Sequence, residues 1–190
     1  MGTLNSCLKS KSLYRDGNEN FSVGTATMQG FRLNQEDAHK YTFSLKNHPS
    51  YALFGVFDGH GGEKASHFLE ANILDTLNNL EKLDDENIQN ALMLLDKKFV
   101  SEENSNIREQ GSTCVFCLVK KSKNKLNKTI YDLTCFNTGD SRCLLLKQTG
   151  GYQPLSNDHK PTDKTELKRI KEAGGTVSSN RVVNSFSILL

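Results

Sequence analysis

A carboxylate, an imidazole and three glycines stand together at Asp58-Gly59-His60-Gly61-Gly62, directly after the apolar run Tyr51-Ala52-Leu53-Phe54-Gly55-Val56-Phe57. An aspartate offers a hard anionic oxygen to a divalent cation. A histidine can move a proton near neutral pH. Taken alone, the pentapeptide also fits a polar turn with a helix-capping Asp. Other groups of chemical interest lie elsewhere. Arg32, Glu36 and Asp37 fall in Gly30-Phe31-Arg32-Leu33-Asn34-Gln35-Glu36-Asp37-Ala38-His39, and Asp140 falls in Asn137-Thr138-Gly139-Asp140-Ser141-Arg142. An arginine fork matches two oxygens of a phosphate. Carboxylates suit Mg²⁺ or Mn²⁺.

The elements that would position these groups can be read from periodicity. The short aromatic run 51–57 predicts a buried strand, ended by the glycines, that delivers Asp58 and His60 onto a loop. Ala65, Phe68, Leu69, Ile73, Leu74, Leu77 and Leu80 recur at helical spacing and predict a helix over 62–80. Ile88, Ala91, Leu92, Leu95 and Phe99 form a second stripe, followed by a polar loop over 101–110. Strands are predicted over 21–28, 32–43, 113–120, 129–137, 142–147 and 177–183. Asp163 and Glu166 open a third helix that stops at Gly174-Gly175. Residues 1–20 are polar and read as a flexible tail. Strands separated from paired helices predict an α+β class, with helices packed on antiparallel sheets.

The pieces occur in a fixed order. Thr27 through His39, Val56 through Gly62, Gly111-Ser112-Thr113, Asn137 through Arg142, Asp158-His159-Lys160-Pro161, Glu172-Ala173-Gly174-Gly175 and Arg181-Val182-Val183-Asn184 together resemble protein phosphatase type 2C, the metal-dependent PPM-type serine/threonine phosphatases. The resemblance implies a four-layer α-β-β-α fold, an antiparallel β-sandwich flanked by helix pairs. It also implies hydrolysis of phosphoserine and phosphothreonine by metal-activated water, with two Mg²⁺ or Mn²⁺ ions. On this likeness Asp58 is the bridging carboxylate and Gly59 gives a carbonyl ligand. Glu36 acts through water, Asp37 supports the site, and Asp140 belongs to an additional, weaker metal site. Arg32 resembles the phosphate-binding arginine and His60 the general acid. His39, His48, His67 and His159 are expected to be structural or exposed.

The resemblance covers residues 21–184, so 21–190 is expected to be a partial phosphatase domain. Family members continue into two more metal-binding aspartates, which have no counterpart before Leu190. The sequence thus predicts a fold lacking its C-terminal part and an impaired enzyme. The alternative is a non-catalytic pseudophosphatase or phosphoprotein-interaction module.

Composition bounds the rest. The formal net charge of +2 gives no electrostatic footprint for nucleic acid. The basic run Lys120–Lys128 lies between two predicted strands and reads as a solvated hairpin. Cys114 and Cys117 are three apart in a predicted strand, so they face opposite sides and make no zinc site. Met1-Gly2-Thr3-Leu4-Asn5-Ser6 fits N-myristoylation at Gly2, with Cys7 beside it as a palmitoylation candidate. The expectation is a cytoplasmic signalling hydrolase, monomeric, acting on phosphoproteins, with peripheral membrane attachment through the acylated terminus.

Overall fold

A computed structural model describes residues 11–102, 110–179 and 181–183. The acylation candidates Gly2 and Cys7, and the segment 184–190, lie outside the described residues. The class is α+β with antiparallel sheets, as expected. Strands β1 (Lys11–Gly17) and β2 (Ser22–Met28) form a hairpin, and β3 (Asp37–Thr42) and β4 (Tyr51–His60) follow. Helices α1 (Lys64–Asn78) and α2 (Asp85–Glu102) come next, then β5 (Gly111–Ser112), β6 (Cys114–Lys123) and β7 (Thr129–Thr138). The chain continues through β8 (Leu144–Leu146), β9 (Tyr152–Pro154), α3 (Lys164–Glu172), β10 (Thr176–Ser178) and β11 (Arg181–Val183).

The central sheet runs β3-β4-β6-β7, with β5 paired to the end of β4. Its neighbours are all antiparallel. Side chains alternate across it. Ala38, Leu53, Phe57, Cys114, Phe116 and Leu118 point to one face, where they form a single core with Leu69, Ile73 and Leu77 of α1 and Ile88, Leu92 and Leu95 of α2. Both helical stripes are therefore core stripes. A buried Leu, Ile or Phe contributes about 1.5–3 kcal/mol each, and this face holds the fold together. Cys117 lies on the opposite face from Cys114. The basic run forms the β6–β7 hairpin end, where the Asn124 carboxamide oxygen accepts from the Leu126 and Lys128 amides at 2.9 Å each.

The structure corrects three expectations. First, the tail does not extend to residue 20: Lys11–Gly17 is a strand paired along its length with β2. The turn that makes this possible is local and polar. The Asn18 side chain accepts from the amides of Asn20 and Phe21, both at 2.9 Å, an Asx turn that tolerates no apolar signal. Phe21 then anchors the hairpin on the sheet face away from the helices, against Phe43, Phe54 and Tyr131, with centroids 5.6–6.1 Å apart. Second, β3 starts at Asp37 rather than Arg32. Gln29 holds the preceding segment in a turn by donating to the carbonyls of Arg32 and Leu33 at 2.9 and 2.6 Å. Third, β4 does not end at Phe57. It continues through Asp58, Gly59 and His60 because β5 pairs with it, Gly59 opposite Ser112 and His60 opposite Gly111.

Candidate active site

Asp58 and His60 therefore sit on a hydrogen-bonded strand rather than on a loop. They are two residues apart, so they share a face. Asp37 is the direct cross-strand partner of Asp58. Like charges placed opposite one another on a sheet repel. That repulsion is visible in Asp58: partial burial first, then the Asp37 and Asp140 carboxylates, push its carboxyl above the ordinary range, and only Arg32 pulls it down. Four predicted site residues, Asp58, Asp37, Asp140 and Arg32, are thus close enough to feel one another.

The backbone beneath Asp58 is clamped. Its amide donates to Thr113 Oγ1 at 3.0 Å, and its carbonyl accepts from the Thr113 amide at 2.9 Å. Thr113 Oγ1 also meets Ser141 Oγ at 2.6 Å, which ties the Asp140 turn to the same point. The Gly-Ser-Thr motif is accordingly a positioning element. Gly59 lies on the other side of the strand, where a Cβ would come 2.3 Å from the Glu36 carbonyl oxygen and 2.9 Å from Ser66 Oγ. Only glycine fits there. The fully buried Ser66 hydroxyl donates to that Glu36 carbonyl, so α1 fixes the loop that carries Glu36. At Gly62, with φ +140°, the chain leaves the strand, and a Cβ would strike Gln110.

His60, Asp58, Asp140 and Arg32 line one cleft of about 450 Å³. Burial, and then the Arg181 charge, push the His60 imidazolium below its ordinary pKa, while Glu36 and Asp140 oppose this. Glu36 is therefore also within electrostatic reach. All five carboxylate and imidazole candidates on the 36–60 and 140 segments converge on this region.

The sequence reading missed part of the wall. His159, Glu166, Arg169 and Arg181 also line the cleft. His159 was expected to be structural or exposed; its backbone amide bonds to the Gly139 carbonyl at 2.9 Å and places the residue beside Asp140. Arg169 is committed to Glu166 through its Nε at 2.9 Å and its Nη2. The signal for Arg181 was present, in Arg181-Val182-Val183-Asn184, but nothing local says that a short hairpin returns it to His60. Asp158 proves to be an ion-pair hub: Arg142 grips it with two bonds of 2.9 and 2.7 Å, and Lys160 adds a third contact at 3.1 Å.

Hard oxygen donors fit a divalent cation by type. Their negative charge, crowded enough to raise Asp58, calls for a positive partner. As side chains they amount to the Asp37–Asp58 pair. Among the described residues, no group of three or more His, Cys, Asp or Glu side chains gathers closely enough to hold a metal ion. A cation held by the described residues alone would complete its shell with backbone carbonyls and water.

Comparison with known proteins identifies the family. The sequence pattern of the family described as Protein phosphatase 2C matches residues 21–188. A probable protein phosphatase 2C of Caenorhabditis elegans is 35% identical over 190 residues, covering 98% of this chain and 51% of the worm protein. Protein phosphatase 1L of Bos taurus is 33% identical, covering 84% of this chain and 45% of the bovine one. The chain thus spans about half the length of these curated relatives. Among solved structures, a phosphatase from Toxoplasma gondii superposes with a TM-score of 0.65 at 23% identity, over 83% of this chain and 59% of the other. Serine-threonine phosphatase 2C from the same organism gives 0.60 at 21% identity, over 93% and 58%. These two show the fold. By sequence, fold and the ordered convergence of its motifs, the chain belongs to the protein phosphatase 2C family.

Proposed function

We propose that the cleft at the end of β4 removes phosphate from phosphoserine and phosphothreonine side chains of proteins, using Mg²⁺ or Mn²⁺. The observation that carries this reading is that Asp58, paired across the strands with Asp37, lines the same cleft as Arg32, His60 and Asp140. Asp58 and the Gly59 carbonyl would hold the cation, with Asp37 beside them, Glu36 acting through water, and Asp140 at a further, weaker position. When bound, such a cation lowers the pKa of water and neutralises phosphate charge. The chain's own groups do the rest. Arg32 binds and orients the phosphate through paired donors. His60, partly buried and on the same face as Asp58, gives its proton to the departing serine or threonine oxygen. Thr113 and Ser66 keep the two carboxylate-bearing segments in register.

A second reading has its own support. Among the described residues the side-chain ligands stop at a pair, which favours weak cation binding. A protein of this shape can recognise a phosphoprotein through Arg32 without hydrolysing it. Turnover of a phosphothreonine peptide with Mn²⁺, compared with Asp58→Ala, separates the two. The enzymatic reading expects turnover above the variant by a factor of about a hundred or more. Binding of the peptide with equal, negligible turnover in both would establish the second reading. We further propose acylation at Gly2, with Cys7 as a second acyl site and the membrane surface as destination. Co-expression with an N-myristoyltransferase should add a myristoyl mass that Gly2→Ala abolishes, and an unmodified wild-type terminus would remove the idea.

A further inference from the structure

On the sheet face away from the helices, three thiols meet that the phosphatase reading does not use. Cys117 of β6 and Cys135 of β7 are direct cross-strand partners, which places their Cα atoms about 4.5–5.5 Å apart. Cys143 follows the turn that carries Asp140. Its sulfur lies near enough to both strand thiols to act on them electrostatically. Cys117 and Cys135 are each pushed up to about 12, by burial first and by the Cys143 sulfur next. All three are half-buried and free of disulfides. Cys117 and Cys143, but not Cys135, line a cavity of about 470 Å³ between β2 and the sheet. The fourth described cysteine, Cys114, is fully enclosed in the helix-side core.

We propose that Cys143 and Cys117 form a reversible disulfide when a small hydroperoxide reaches this cavity. The two residues are the only pair of described thiols that are both near one another and open to the cavity. In the first step the Cys143 thiolate attacks the peroxide O–O bond. Cys143 becomes a sulfenic acid and, for hydrogen peroxide, hydroxide leaves and takes up the thiol's proton as water. In the second step the Cys117 sulfur attacks the sulfenic sulfur. The S–S bond forms, the S–O bond breaks, and a second water leaves. Two thiols are oxidised by two electrons and one peroxide is reduced to two waters. A dithiol reverses the link by exchange. The consequence is a covalent tether from the central sheet to the 139–142 turn, which already bonds to Thr113 through Ser141 and to Asp158 through Arg142. Oxidation would therefore fix the Asp140 turn from a third side.

The test is a peptide map of the whole chain after hydrogen peroxide, with alkylation of remaining thiols. The expected result is a Cys117–Cys143 crosslinked peptide, an intact mass lower by two hydrogens, and loss of both changes with dithiothreitol. Cys143→Ser should abolish the crosslink while its circular dichroism matches wild type. Amide hydrogen exchange across 139–143 should slow several-fold in the oxidised protein. The proposal is overturned by a map holding only a Cys117–Cys135 or Cys135–Cys143 link, only sulfinic acids, or five unmodified cysteines. None of these readouts depends on phosphatase activity.

Discussion

The two faces of the central sheet are made from alternate residues of the same strands, yet they do different work. On the helix side Phe57 is fully buried, whereas its neighbour Val56, on the other face, is 50% exposed. Further along the sheet, Phe116 of β6 on the helix side is 1% exposed and Leu133 of β7 on the other face 44%, although Val115 and Val119 of β6 are buried on that other face as well. Apolar burial concentrated on one side lets the other side keep features that cost stability: paired carboxylates at Asp37 and Asp58, a cleft, and a patch of half-covered thiols. A tightly packed face supplies the rigidity with which the open face holds its polar groups.

This contrast can be broken most forcefully on the core side. Phe57→Ala should cost about 3–5 kcal/mol, while Val56→Ala, one residue away, should cost less than about 1 kcal/mol. Paired urea titrations measure both; equal losses would show that the two faces do not divide the work as argued. Gly59→Ala tests the junction between the faces. Its Cβ would meet the Glu36 carbonyl, a backbone atom that cannot swing aside, so a loss of about 1–3 kcal/mol is expected. Movement of Asp58 should come with it, visible as weaker Mn²⁺ binding. Thr113→Val keeps the shape but removes the oxygen that accepts from the Asp58 amide and meets Ser141. Its expected cost is about 1–2 kcal/mol, with looser hydrogen exchange at 139–142.

The smallest effect lies at the rim. Asp158 is held well below the usual carboxylate range by its hydrogen bonds from Arg142 and Lys160, and Glu166 is lowered chiefly by its bond from Arg169. Carboxyls depressed in the folded state stabilise it above their unfolded pKa of about 4 and lose that contribution as pH falls through the folded value. Stability should therefore decline on the acid side. Arg142→Gln should flatten that decline by a modest amount, because the pair is largely solvent-screened. An unchanged acid limb, followed by urea midpoints, would show the rim pair to be energetically idle.

The sequence spoke most clearly where burial is periodic. The stripes of α1 and α2 repeat the helical period and became core, and from the run Tyr51–Phe57 the alternate residues Leu53 and Phe57 joined them. Polar, local chemistry was harder to read. β1 depends on the Asn18 side chain folding back on its own backbone, which leaves no hydrophobic trace. The extension of β4 to His60 depends on Gly111 and Ser112, some fifty residues away in sequence, so no local pattern around Asp58 could announce it. The candidate site residues were picked out by the order of their motifs. The Asp37–Asp58 pairing was not, since register is a property of two strands together. His159 and Arg181 entered the cleft for the same non-local reason.

The central claim is that the carboxylate pair on the open face is a cation site anchored by Asp58. The most direct measurement is Mn²⁺ titration of the whole chain followed by water-proton relaxation, in wild type and in Asp58→Ala. The account predicts saturable enhancement in the wild type that falls by about tenfold or more in affinity in the variant. Equal enhancement in both, or none in the wild type, would contradict it.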